Sequence, residues 1–130
     1  MEVEMELCQI IIQETTEQQI IVLRERNGER AFPIVIGIAE ALAIDRRLKG
    51  IQPERPLTHD LLFNVITEMA GQLERIEIND LRDHTFYAKL IINKNGQEIE
   101  IDSRPSDAIA LGAANNMPIY VAEHVIKAVC

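Results

Sequence analysis

The sequence contains only two cysteines, Cys8 inside an apolar, strand-like run and Cys130 at its last position. They form neither a CxxC pair nor the even spacing of a disulfide framework. Two reduced thiols in a cytoplasmic protein are therefore the expectation. No apolar run approaches the ~18 residues of a membrane helix. The opening Met1-Glu2-Val3-Glu4-Met5-Glu6 has neither the basic start nor the apolar block of a secretory signal, so no membrane partner is expected. Walker loops, a GxGxxG after a strand, a GxSxG elbow and HExxH are all absent. His59, His84 and His124 stand far apart, none with a partner at zinc-ligand spacing, which argues against a structural zinc site. Cations are also scarce, 13 Lys and Arg against 21 Asp and Glu, for a net charge of −8. Nonspecific nucleic-acid binding depends on Lys and Arg displacing counterions from phosphates, so the surface as a whole repels nucleic acid. Such a role requires a local basic patch, or metal ions held by acidic groups.

What is present suits one compact domain over residues 1–130. At 47% hydrophobic content, a chain of this length buries a core without disulfides or metals. Val3, Met5 and Leu7 alternate with Glu2, Glu4 and Glu6 as in a half-buried strand, and the phase change near Leu7-Cys8 predicts a bulge. A strand over 19–24, the turn Arg26-Asn27-Gly28-Glu29 and a strand to Ile36 predict a hairpin with positive φ in its Asn-Gly pair. Helical spacing follows over 38–49, stopped by Gly50, and again from Thr58, a candidate N-cap, to about Gly71. Alternating runs around Ile76–Ile78 and Phe86–Ile92 lead into a second Asn-Gly turn at Asn95-Gly96 and a strand through Ile99 and Ile101. Pro105 then opens an Ala/Leu-rich helix, 118–121 reads as a short strand, and 123–129 as a terminal helix. The expected fold is α+β, a predominantly antiparallel sheet or sheets from two hairpin-containing strand groups with about three substantial helices. Both halves run strand, strand, Asn-Gly turn, strand, helix, which suggests a βββα pseudo-repeat in which Glu40 and Asp107 are equivalent acids near helix starts. Long apolar strand runs, Ile10–Ile12 and Ile20–Leu23, suggest a homo-oligomer, most simply a dimer.

The densest chemistry lies in Asp102-Ser103-Arg104-Pro105-Ser106-Asp107, two carboxylates, two hydroxyls and a guanidinium at a strand-to-helix junction. Helix N-termini present free N–H groups that bind phosphate or carboxylate. The same residues also suit a structural role, with Ser103 as cap, Asp107 complementing the dipole and Arg104 paired with Asp102. Arg55-Pro56-Leu57-Thr58-His59-Asp60 precedes the second helix, where Thr58 and Asp60 can satisfy orphan amides. Glu40 sits in an otherwise apolar helix, and the cost of burying a lone carboxylate makes Arg104 an attractive partner.

Together, Pro33-Ile34-Val35-Ile36-Gly37 with Glu40-Ala41, Arg55–Leu61, Asp102–Leu111 and Pro118-Ile119-Tyr120-Val121 resemble the bifunctional nuclease domain family, in the same order and over nearly the whole chain. The junction around Ser103-Arg104-Pro105-Ser106-Asp107-Ala108 is its most specific element. The resemblance implies a small α+β domain with a proposed ability to cut both DNA and RNA, and it singles out Glu40, Thr58, His59, Asp60, Asp102, Arg104, Ser106 and Asp107. On that footing Asp102, Asp107, His59 and Glu40 are the catalytic candidates. Asp102 and Asp107, with Glu40 as a third group, are candidate ligands of Mg²⁺ or Mn²⁺, while Arg104, Ser106 and Thr58 are candidate substrate contacts and His59 an acid or base. Two other readings use the same residues: a noncatalytic regulatory module held by a buried polar network, and a sensor of small anions. Exposure discriminates, because an open pocket beside Asp102 and Asp107 supports chemistry and full burial supports scaffolding.

Overall fold

The computed structural model describes residues 1–13 and 15–130, the side chain of Ala114 excepted. Seven strands form one sheet: β1 (Glu2–Ile11), β2 (Gln18–Glu25), β3 (Ala31–Gly37), β4 (Gly71–Arg82), β5 (Thr85–Lys94), β6 (Gln97–Ser103) and β7 (Ile119–Ala122). Their order is β3-β2-β1-β7-β4-β5-β6. Every pair is antiparallel except β4 with β7. Two meanders thus lie side by side, and the short β7 joins them by pairing with the first strand of each. The bulge expected at Leu7-Cys8 is present: the β1–β2 register shifts between Leu7 and Gln9.

The turns separate into two kinds. Asn95 and Gly96 have φ of 54° and 81°, the two-residue geometry that an Asn-Gly pair supplies most readily. Neither Asn27 nor Gly28 has positive φ, contrary to expectation. That loop is longer and is closed by hydrogen bonds instead, from Glu25 N to Arg30 O at 2.9 Å and from Arg30 N to Glu25 Oε1 at 2.9 Å. The β4–β5 connection turns through Asp83 and His84, with φ of 48° and 65°. These residue types tolerate the left-handed region better than most, and no glycine marks the turn.

Among the described residues four α-helices cover the sheet: α1 (Ile38–Leu48), α2 (Thr58–Glu68), α3 (Pro105–Gly112) and α4 (Glu123–Val129). The central α3 is buried along most of its length, from Ala108 to Gly112, which explains why its residues are small or aliphatic throughout. Ala41 and Ile44 of α1 and Val125 and Ile126 of α4 join it, with Ile76, Ile78, Ala88 and Leu90 from the sheet below. The strand residues Ile21 and Leu23 are fully buried, and Ile10 and Ile12 pack against the core. The runs that suggested self-association are therefore largely covered within the chain itself. The order βββα occurs in both halves, β1-β2-β3-α1 and β4-β5-β6-α3, after which they diverge, into α2 on one side and β7–α4 on the other. That shared order does not by itself establish a repeat. No helix among the described residues is long and apolar enough to cross a membrane.

Candidate functional site

Three helices begin at one place. Glu40 lies in the first turn of α1, His59 is the second residue of α2, and Asp107 lies in the first turn of α3. Arg104, the residue that caps α3, ties them together. Its Nε donates to Asp107 Oδ2 at 2.8 Å, and its Nη1 lies 3.1 Å from Glu40 Oε1. The other oxygen of Asp107, Oδ1, is 3.0 Å from His59 Nε2. The chain Glu40–Arg104–Asp107–His59 thus links α1, α3 and α2 through side chains alone. Pro105 helps set its geometry, because proline at the first helical position fixes the entry into α3 without removing a needed donor.

The electrostatics follow from these contacts. Burial pushes the Asp107 carboxyl up, but hydrogen bonds from Arg104 and His59 outweigh it and hold the group below the usual aspartate value. Arg104 is in turn held charged by Asp107 first and by Glu40 second. An ionised carboxylate can only accept, so His59 donates from Nε2, and in the neutral ring the lone pair then sits on Nδ1. The side chains of His59 and Glu40 are each only 15% exposed, whereas that of Arg104 is 65% exposed. Its Nη2 makes no hydrogen bond to the protein among the described residues. Gly37, just before α1, leaves room for this arrangement, since a Cβ there would stand 3.0 Å from Glu40 Oε1.

Two open cavities meet at the chain. One, of about 660 Å³, lies between α1 and α2 and is lined by Glu40, Arg46, Arg47, His59, Arg104 and Asp107 among others. The other, of about 690 Å³, runs between α2 and the sheet past Leu62, Phe86, Tyr87 and Ile101 to Asp102, Arg104 and Asp107. Arginines gather here in a chain that is acidic overall, and Arg46 was not a candidate on sequence grounds because nothing in its spacing ties it to the junction.

The remaining candidates fall on either side of this group. Thr58 lines both cavities. It is the first helical residue of α2 rather than its cap, a position taken by Leu57. Asp102, on β6, lines the second cavity and has no hydrogen-bond or ion-pair partner among the described residues, so the expected Arg104–Asp102 pair is replaced by Arg104 with Asp107 and Glu40. Ser106 is buried and lines a neighbouring cavity beside Glu40 and Arg104. Ser103 does not cap α3; its hydroxyl donates to the Arg104 carbonyl at 2.8 Å. Asp60 serves the fold: it accepts from Leu57 N at 3.0 Å and pairs with Arg47, whose Nη2 donates to Leu111 O at 3.0 Å. Among the described residues no three His, Cys, Asp or Glu side chains converge as a ready metal cage.

The bifunctional nuclease domain model matches residues 21–130, which include every residue of this site. The chain belongs to the bifunctional nuclease domain family. It is 41% identical over 123 residues to an uncharacterised protein of Mycobacterium tuberculosis, covering 95% of this chain and 73% of that one. It is 28% identical over 114 residues to bifunctional nuclease 2 of Oryza sativa subsp. japonica, and 22% identical over 109 residues to bifunctional nuclease 2 of Arabidopsis thaliana. Those matches span 85% and 81% of this chain but only 35% and 33% of the plant proteins, so this chain matches about a third of each.

Proposed function

We propose that this member of the bifunctional nuclease domain family hydrolyses phosphodiester bonds in DNA and RNA with little sequence selectivity, at the meeting point of α1, α2 and α3. The observation that carries the reading is the Glu40–Arg104–Asp107–His59 chain with its exposed guanidinium. A pocket open to water beside Asp102 and Asp107 supports chemistry over a purely structural network. Three helix N-termini favour a phosphate here, and the cavity's arginines, Arg46, Arg47 and Arg104, offset the carboxylates of Glu40, Asp60 and Asp107 in a chain that is acidic overall.

In this reading Arg104 uses Nη2 to hold a nonbridging phosphate oxygen and to balance the charge that grows on it in the transition state. Glu40 and Asp107 fix the guanidinium plane through its other nitrogens. Asp107 also orients His59 and stabilises the imidazolium that forms when Nδ1 takes a proton from the attacking water; as the water oxygen bonds to phosphorus the ester P–O bond breaks, and its leaving oxygen takes a proton from solvent. Thr58, on both cavities, is a second substrate contact, and Ser106, on the cavity beside Glu40 and Arg104, a third. Mg²⁺ or Mn²⁺ is commonly held by one or two carboxylates together with substrate phosphate, and Asp102, which has no partner of its own among the described residues, is the carboxylate that would hold such an ion. Both oxygens of Asp107, on the same cavity, already accept from Arg104 and His59, so Asp107 would join it only by giving up one of those contacts. When bound it would add charge to the phosphate oxygens.

The test is cleavage of labelled single- and double-stranded DNA and RNA by highly purified protein, with and without chelator. Cleavage lost in Arg104→Ala and His59→Ala at unchanged fold supports the assignment. Cleavage that survives both refutes it.

A further inference from the structure

Helix α2 is amphipathic in sequence, yet none of its residues is buried. Phe63 and Ile66 rest against the core from one side. On the other, Leu57, Leu61, Val65 and Met69 follow one another at intervals of four residues and are between 43% and 63% exposed. Residues four apart form a continuous ridge on a helix surface. Leu62 widens it, and the exposed Ile51 and Ile101 flank it, Ile51 beside Leu57 and Leu61 in one cavity and Ile101 beside Leu62 in the other. The patch leaves on the order of 500 Å² of apolar surface in water, as much as the largest patch of a typical soluble monomer and more than half of the ~800 Å² each partner gives to a standard interface.

We infer that this ridge is where two copies of the chain associate, α2 against α2 about a twofold axis. Residues 57–69 contain no Lys or Arg, so the ridge itself offers a nucleic acid no counterion release and a membrane no cationic flank; the arginines of the adjoining cavity, Arg46, Arg47 and Arg104, lie on other elements. Their carboxylates are Asp60, already paired with Arg47, and Glu68. Two chains that each carry −8 repel overall, and a ridge whose carboxylates are Glu68 and the paired Asp60 adds little to that repulsion. The ridge is also self-complementary. In an antiparallel crossing Leu57 meets Met69 and Leu61 meets Val65, and the same patch on both partners is what a twofold interface requires. Ridges of this kind interdigitate at about −50°.

The test is molar mass by light scattering on the full chain from about 1 to 100 µM, with circular dichroism to confirm folding. Wild type and Val35→Glu, a charge added at an exposed position on β3, are expected at twice the 14.7 kDa chain mass. Leu61→Glu and Val65→Lys are each expected to halve that mass at unchanged helicity, and their equimolar mixture to restore it. A wild type of 14.7 kDa throughout overturns the proposal. So does a dimer that survives Leu61→Glu, one abolished by Val35→Glu, or a mixture that stays monomeric.

Discussion

Replacing Asp107 by asparagine keeps the shape of the side chain and removes the charge that joins α2 to α3. The carboxylate accepts from Arg104 at 2.8 Å and sits 3.0 Å from His59. An amide offers one oxygen where two acceptors are needed, so one contact is lost and the other becomes neutral. Hydrogen bonds to charged groups contribute about 1.5–3 kcal/mol each, and partial exposure of this pair reduces that, so the expected loss at pH 7 is about 1–2 kcal/mol. For a domain of this size that is about 3–8 °C in melting temperature. The pH dependence provides the check. The folded-state value of Asp107 lies below the ordinary 3.8, so its contribution is complete above that value and disappears as pH falls through the lower, folded-state one. Melting curves of both proteins from pH 7 to pH 2.5 should show a constant gap down to about pH 4.5 that closes below 3.8. A gap that persists unchanged at pH 2.5, or no gap at pH 7, refutes the reasoning.

Asp60→Asn is expected to be worse than Asp107→Asn at neutral pH, by urea denaturation, because it strands the guanidinium of Arg47, which is only 12% exposed and whose Nε already has no partner. Breaking one side of a mostly buried pair costs about 2–4 kcal/mol. Gly112→Ala places a Cβ 2.8 Å from Ile76 Cδ1 and 2.8 Å from Met117 Cβ, and overpacking of this kind should lower the unfolding free energy by about 1–3 kcal/mol. Gly96→Ala meets no atom within 4 Å but must hold φ at 81°, so a smaller loss of about 1–2 kcal/mol is expected from backbone strain alone, read from the same denaturation curves.

Much of this architecture was legible because its signals are local. Pro105 opening α3, Gly50 stopping α1, the bulge near Cys8 and the Asn95-Gly96 turn each rest on the conformational limits of a few adjacent residues. The Glu40–Arg104 pair was legible for a different reason, since a carboxylate in an apolar helix needs a cation. What escaped was set by distant contacts. Arg30 closes the first hairpin with Glu25 and reaches Glu123 of α4 at 2.6 Å, a pairing across 93 residues that no local pattern announces. The insertion of β7 between β1 and β4 depends on long-range register, and the Asp83-His84 turn lacks the glycine that marks such turns. Arg104 was expected beside Asp102, its neighbour along the strand. The helical turn after Pro105 brings Asp107 within reach instead, three residues on. The alternation in the strands described the core, whereas the exposed ridge Leu57, Leu61, Val65 and Met69 belongs to α2 and its two ends.

The most direct test of the proposed site is single-turnover cleavage of a labelled oligonucleotide by Asp107→Asn beside wild type, both purified to the same standard and both confirmed folded by melting. Loss of the charge that orients His59 and Arg104 together should reduce the rate by at least about 100-fold, the lower end of what a positioned acid or base contributes, at a stability loss of only about 1–2 kcal/mol. An asparagine variant that is folded and cleaves as fast as wild type would contradict the account.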